Sequence, residues 1–241
     1  SKNYMKYSVI IPAYNESESI THAINALKAQ TVPREDFEII VVDNVSTDNT
    51  YEKAVEAGAD VVIKENKKGA NMARQAGFKN SRGQISVFLD ADCAPPRDWL
   101  EKIDKDLSKK GIAAVSGPYN YNFKGIYWFI DYIYTNWIAP PSIHVLEFIF
   151  RKKAGIIIGG NFATRREVIE AIGGLPPLAF WGDDATIAML ISRQVGKVLF
   201  DLKLIVKSSD DRFQRVGFFK LGFIYIREYL KAFFNADSFI K

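Results

Sequence analysis

Acidic side chains stand at the ends of several apolar runs in this sequence, and these are the places where chemistry could be done. Asp90-Ala91-Asp92 follows Ile85-Ser86-Val87-Phe88-Leu89. Two carboxylates two residues apart can flank a hard divalent cation, Mg2+ or Mn2+, which takes oxygen ligands and commonly shares them with substrate phosphates. Such a cation would stabilise charge on a departing phosphate. Taken alone, the pair reads more readily as solvated loop aspartates. Asp43 ends Ile39-Ile40-Val41-Val42, where a carboxylate can accept hydrogen bonds from a base imide or a ribose hydroxyl. Ser46, Thr47 and Asp48 are close enough to make a turn or cap the competing reading. Lys67-Lys68-Gly69 precedes a helix-like segment carrying Arg74, and basic residues at a helix N-terminus suit an anion. A lysine pair is also ordinary surface. Trp181-Gly182-Asp183-Asp184 opens another helix-like segment, where the macrodipole alone favours carboxylates. Adjacent residues point in different directions, so one can cap while the other faces a cleft as general base.

These groups need a frame to position them. Short β-branched runs at 8–11, 38–42, 60–64, 85–89 and 113–116 alternate with helix-like segments at 18–30, 48–57, 69–80 and 98–108. Near-continuous apolar strands separated by helices predict a mostly parallel α/β sheet covered on both faces. The loop Pro12-Ala13-Tyr14-Asn15-Glu16, the Asp43 loop and the Asp90 loop all follow strands, so all three belong at the carboxyl edge, where open α/β sheets bind ligands. Further on, Asn161–Thr164 leads into a helix at 165–172, stopped by Gly173-Gly174. A helix from Asp183 to about Val195 carries Ile187, Leu190, Ile191 and Val195 as its buried stripe, and short strands follow at 198–200 and 204–206.

Composition narrows the function classes. At 241 residues, 48% apolar and 25% charged, the chain reads as one large domain or a domain with an appendage. One cysteine, Cys93, excludes an internal disulfide framework and suggests a reducing, cytoplasmic setting. With His22 and His144 the only histidines, no zinc-site spacing can be assembled. A net charge of +4 without an arginine-rich run argues against nucleic acid as partner. The polar start, residues 1–7, has no apolar core of a signal peptide. A Walker A motif, a Gly-x-Gly-x-x-Gly after the first strand and a Gly-x-Ser-x-Gly elbow are all absent.

The order of the blocks is more specific than any one of them. Val9-Ile10-Ile11-Pro12-Ala13-Tyr14-Asn15-Glu16 resembles the opening of inverting family-two glycosyltransferases of the GT-A fold. The run 41–50 through Asp43, the run 69–77 with Arg74, and Phe88-Leu89-Asp90-Ala91-Asp92 are similar to their next three blocks. Residues 159–174 resemble the acceptor-side segment, and Gly182-Asp183-Asp184 with Arg193 resembles the helix start and later arginine. The resemblance covers about residues 7 to 206. It implies a nucleotide-sugar donor, most commonly a UDP-sugar with GDP- and dTDP-sugars as alternatives, a divalent cation, and one-step inversion on a glycan, lipid-linked or protein acceptor. Pro12, Ala13, Tyr14, Glu16 and Asp43 would hold the nucleotide, with Lys67, Gly69 and Arg74 along its base or phosphates. Asp90 and Ala91 would face the ribose or metal, and Asp92 would bind the metal. Gly160, Asn161 and Trp181 would lie on the acceptor side.

Asp184 matches the catalytic base, and Asp183 stands where the family usually has Glu, which leaves the base open between the two. Many relatives carry a histidine on the late strand that completes the metal site. Val206-Lys207-Ser208-Ser209-Asp210-Asp211-Arg212 has none, so Lys207 against the diphosphate, or Asp210 or Asp211 on the metal, are the candidates here. The alternatives to a transferase are a sugar-nucleotide nucleotidyltransferase, which needs a glycine-rich basic first loop that is missing, and a transferase-like scaffold without activity.

Two aromatic stretches stand outside this scheme. Residues 119–150 read as a helical hairpin on the domain, a dimer contact, or a membrane-interface surface. Pro140-Pro141 and the charges Asp131 and Glu147 argue against a membrane span. Residues 216–241 form an amphipathic helix beyond a transferase domain at 1–215, whose nucleotide half runs to about 117 and acceptor half from 118. Phe219, Phe223, Ile226, Leu230 and Phe233 make its apolar stripe, with Lys220, Arg227 and Lys231 beside it. A basic amphipathic helix suits peripheral contact with an anionic membrane face, and docking on the core competes.

Overall fold

A computed structural model describes residues 5–177 and 182–239. The strands are β1 (Tyr7–Ala13), β2 (Phe37–Asp43), β3 (Val61–Lys64), β4 (Ile85–Leu89), β5 (Ile112–Ser116), β6 (Tyr119–Asn120), β7 (Asn161–Arg165), β8 (Lys197–Phe200) and β9 (Val206–Lys207). The helices are α1 (Ile20–Lys28), α2 (Thr50–Glu56), α3 (Ala70–Lys79), α4 (Trp99–Leu107), α5 (Gly125–Ile133), α6 (Ala139–Phe150), α7 (Arg166–Ala171), α8 (Asp183–Gln194), α9 (Asp211–Val216) and α10 (Phe218–Asn235). Seven strands form one sheet in the order β3-β2-β1-β4-β7-β5-β8, and β6 pairs with β9 separately.

Every residue of β2 and β4 is buried, as two covered faces require. On one face Val9, Ile11, Ile39, Val41 and Val87 pack against Ile20, Ile24 and Leu27 of α1 and Trp99 and Ile103 of α4. On the other, Ile10, Ile40, Val42 and Phe88 meet Ala73 and Phe78 of α3 and Ile187 and Ile191 of α8. The period of two thus sorts each strand between two helical layers. Val195, expected in the α8 stripe, is exposed because it lies past the helix end.

Parallel register aligns the ligand edge. Ala13 pairs with Asp43, and Asp43 with Lys64, so three strand ends finish level. The β1–β4 ladder ends at Ile10, two residues before Pro12, which has no N–H to give. β7 is the element that periodicity did not reveal. It runs antiparallel between β4 and β5, with Leu89 opposite Asn161 and Phe162 stacked on Phe88 at 4.4 Å. The late strand also shifts, to Val206–Lys207 from the expected 204–206.

The aromatic stretch is not a hairpin. The residues joining α5, the π-helical turn Tyr134–Ile138 and α6 all keep right-handed helical backbone angles, so the segment is one rod. The π turn sits just before Pro140 and Pro141, whose missing N–H groups an α-helix would leave as gaps in its ladder. Tyr127 near its start touches Phe218, and Phe150 at its end touches Phe234, so it runs alongside α10. The expected stripe of α10 divides: Phe233 is buried under Arg193 and Phe150, while Phe219, Phe223, Ile226 and Leu230 are exposed. Among the described residues, no helix is long and apolar enough to cross a membrane.

Candidate active site

The loops after β1 and β2 hold each other in place before any ligand is considered. Asn15 N–H donates to Ser46 Oγ at 3.0 Å, and Thr47 N–H returns to Asn15 Oδ1 at 2.8 Å. Glu16 N–H donates to Thr50 Oγ1, and Ser17 N–H to Asp48. Asp43 is buried and accepts Ser46 N–H through Oδ1 at 3.1 Å. Tyr14 is exposed, with Lys68 Nζ 4.2 Å above its ring. Asn44 spans the next gap: its amide donates to the carbonyls of Glu65 and Lys67, and its Oδ1 accepts Gly69 N–H at 2.7 Å. The Gly69 N–H expected to meet an anion is therefore already engaged within the protein. Lys67 stays exposed at the rim.

Arg74 departs furthest from its sequence reading. It was expected along the nucleotide, yet it is buried, and its guanidinium bridges Asp90 Oδ1 at 3.1 Å and Asp183 Oδ2 at 3.0 Å. A planar fork is suited to holding two carboxylates at once. Asp90 Oδ2 accepts the Tyr119 hydroxyl at 2.9 Å, so both oxygens of Asp90 are engaged. Gly159 and Gly160 make room for this network. A Cβ on Gly159 would stand 2.7 Å from Arg74 Nη2, and one on Gly160 would stand 2.1 Å from Asp90 Cγ.

Asn161, expected on the acceptor side, does not reach the cleft. It is fully buried, accepts Trp99 Nε1–H at 3.0 Å, and donates to the carbonyls of Gly117 and Leu204. It pins β7 to the segments beside it. Ala91 is likewise buried. Trp181 lies outside the described residues.

Three carboxylates are shifted in ways that matter chemically. Asp184 accepts Ala185 N–H at 2.8 Å and Gly159 N–H at 3.3 Å. Desolvation, then the charge of Asp183, pushes it up to about 7 against the opposing pull of Arg74. Asp92 is raised by desolvation and then by Asp90, with Ser209 Oγ donating to it at 2.7 Å in the opposite sense. Glu16, bonded to Ser19, is raised by desolvation and also feels Asp92, Asp90 and Asp211.

Glu16 thus stands in the field of Asp92, Asp90 and Asp211, and Asp92 in that of Asp90. Among the described residues, no three His, Cys, Asp or Glu side chains are grouped closely enough to cage a metal ion alone. An all-oxygen set of one or two carboxylates completed by ligand phosphates fits a hard cation of the Mg2+ or Mn2+ type. Asp92 is the better-placed ligand, since Asp90 is held from both sides. Of the late-strand candidates, Lys207 is exposed and hydrogen-bonds through its backbone to Ala94, and Asp210 accepts the Gln214 amide.

Ser209, Tyr119, Asn44 and Gly159 were not assigned roles from sequence. Ser209 lay in a stretch scanned for charge, Tyr119 in a run read as an aromatic insertion. Asn44 and Gly159 stood inside family-like blocks with no distinguishing mark.

The sequence profile of Glycosyl transferase family 2 matches residues 8–173. The chain belongs to that family. Glycosyltransferase AglE of Haloferax volcanii is 32% identical over 189 residues, covering 73% of this chain and 58% of the relative. Dolichol-phosphate mannosyltransferase of Pyrococcus furiosus is 31% identical over 182 residues, covering 73% and 50%. The family-2 chain spans about half the length of these curated relatives. Among solved structures, mannosyltransferase PcManGT from Pyrobaculum calidifontis, in complex with GDP-Man and Mn2+, aligns with a TM-score of 0.64 at 23% identity, over 97% of this chain and 73% of the other. Glucosyl-3-phosphoglycerate synthase from Mycobacterium tuberculosis, in complex with Mn2+, UDP and phosphoglyceric acid, aligns with a TM-score of 0.66 at 21% identity, over 94% and 78%. These likenesses establish the GT-A fold expected from the sequence.

Proposed function

We propose that this family-2 chain transfers a sugar from a nucleoside-diphosphate donor to an acceptor hydroxyl, with inversion, and that Asp184 is the base. The observation that carries this reading is the Arg74 bridge, which joins a strand-end carboxylate to the helix-start pair and so makes one cleft of two sites. Direct displacement needs an activated acceptor, an aligned sugar and a neutralised leaving group. Asp183 is ion-paired to Arg74, whereas the two oxygens of Asp184 accept only backbone N–H groups among the described residues, so we assign the proton-accepting role to Asp184. Its pKa near 7 suits a base working near neutral pH. Asp43 and the Pro12–Glu16 loop would hold the base and ribose. Asp92, with Asp90 adjusting, would hold a divalent cation, which when bound neutralises the diphosphate as it leaves. An inactive scaffold has no need of so many neighbouring carboxylates, whose mutual repulsion costs stability.

Calorimetric titration of UDP, GDP and dTDP, with and without Mn2+, tests the donor site. Both UDP and GDP are pertinent because the aligned solved structures hold UDP in one case and GDP-Man in the other. One nucleotide is expected to bind in a Mn2+-dependent way and to lose that dependence in Asp92→Ala. Absence of binding under every condition would remove the donor site and favour the inactive scaffold.

A further inference from the structure

The rod from α5 through α6 is made largely of apolar residues, and none of its residues is buried. Trp137 is 68% exposed and Phe148 85%. Beside it, Phe219 and Phe223 of α10 are 70% and 68% exposed. Contacts at both ends, Tyr127 with Phe218 and Phe150 with Phe234, join the two helices into one aromatic layer. An apolar layer this extensive marks a surface meant to be covered.

Charge indicates what covers it. Residues 119–153 and 211–239 contain nine Lys and Arg against five Asp and Glu, whereas the rest of the chain holds 23 of each. All the net positive charge therefore lies on the two segments that build the layer. Lys124 and Arg151-Lys152-Lys153 flank the rod, and Lys220, Arg227 and Lys231 lie along α10. Of the acids, Glu228 is bridged to Arg227 and Lys231, and Asp237 to Lys152 and Arg193. A second copy of the same face would bring like charges together.

We infer that this layer docks in the plane of an anionic lipid bilayer, with the rod and α10 lying in the headgroup zone. Trp and Tyr favour that zone, and an amphipathic helix with a basic edge binds there through apolar burial plus attraction to anionic lipid. The layer also borders the cleft. A side chain at Gly182, next to Asp183, would meet Glu228 of α10 at 3.4 Å. A bilayer under α10 would thus lie beside the helix-start carboxylates. That consequence rests on the transferase reading, whereas the docking does not.

The test is flotation of the chain with phosphatidylcholine vesicles, with and without phosphatidylglycerol, together with tryptophan emission. Expected are binding only when phosphatidylglycerol is present, a blue shift as Trp128 and Trp137 enter the interface, and release at about 1 M salt, where screening acts within about 3 Å. Lys220→Glu should weaken partitioning at least fivefold, since each basic residue contributes about fivefold. Phe219→Ser with Phe223→Ser should abolish it. Wild type that stays unbound with anionic vesicles at low salt overturns the proposal. So does lipid-free self-association, seen by ultracentrifugation and abolished by Phe148→Ser, which would make a second copy the occupant. Nucleotide titration on the same samples separates failure of docking from failure of the donor site.

Discussion

All seven residues of β2 are buried, whereas no residue of the rod from Gly125 to Phe150 is, although both are rich in large apolar side chains. In β2 the alternation sends successive residues into two helical layers that already exist. The rod meets α10 at its two ends, and in between Ile143 and Leu146 pack against a small cluster of Met189, Phe233 and Ala154. The same transfer free energy, roughly 1.5–3 kcal/mol per large side chain, is realised inside the chain in the first case and stays available to a partner in the second. Asp183 lies between Arg74, which ties it to Asp90, and α10, whose Glu228 stands beside Gly182. One side of the cleft is braced from the core by Arg74, and the other is bordered by α10.

The largest effect that would sharpen this contrast is chemical. Asp184→Asn keeps the shape and removes the base, so transfer should fall by about 10²–10⁴-fold while nucleotide titration and vesicle binding stay unchanged. Near-normal turnover would displace the base from Asp184. The pH dependence supplies a finer reading. Because the carboxylate must be ionised to accept a proton, kcat/KM should fall about tenfold per pH unit below about 7. Asp183 raises Asp184 and Arg74 lowers it, so Asp183→Asn removes a like charge and frees Arg74 toward Asp184. Both changes move the acid limb to lower pH. A limb that stays in place would mean another group sets it.

Arg74→Met tests the brace on the core side. The arginine side chain is 5% exposed and its partners are 29% and 16% exposed. Removing it leaves two crowded carboxylates without a counter-charge, a loss of about 3–5 kcal/mol for a fully buried pair. The lower end, about 3 kcal/mol, is expected because Asp90 keeps contact with water. Urea unfolding measures it. A stability within about 0.5 kcal/mol of wild type would show that the bridge is dispensable, and with it the joining of the two carboxylate sites.

Much of this was legible in the sequence for physical reasons that also explain the omissions. The parallel strands announced themselves because strands covered on both faces are continuous apolar runs, and their following loops carry the ligand-edge residues. β7 gave no such signal. Phe162-Ala163 is a short apolar pair after glycines, and its place between β4 and β5 comes from antiparallel pairing across distant segments. Asn161 looked like a polar residue awaiting a ligand, whereas it is hydrogen-bonded to Trp99 and two carbonyls. Arg74 and Asp183 are 109 positions apart, and charge alone does not say which carboxylate a guanidinium will meet. The single rod was not legible because two adjacent prolines split the apolar run, and a π turn ahead of them lets the helix continue.

The smallest expected effect is the most direct test of the contrast between core and face. Phe148 is 85% exposed, so in Phe148→Ser little apolar area returns to water on unfolding that was not already in contact with it. Phe and Ser have similar helix propensities. Stability should therefore stay within about 0.5 kcal/mol of wild type, measured by urea unfolding without lipid. The same change should lower partitioning onto anionic vesicles, because there the ring has an apolar phase to enter. A loss above about 1 kcal/mol in the lipid-free protein would mean that Phe148 is packed in solution, against the core or a second copy. The rod would then belong with β2 as an internally satisfied element, and the net charge gathered around it would need a different partner.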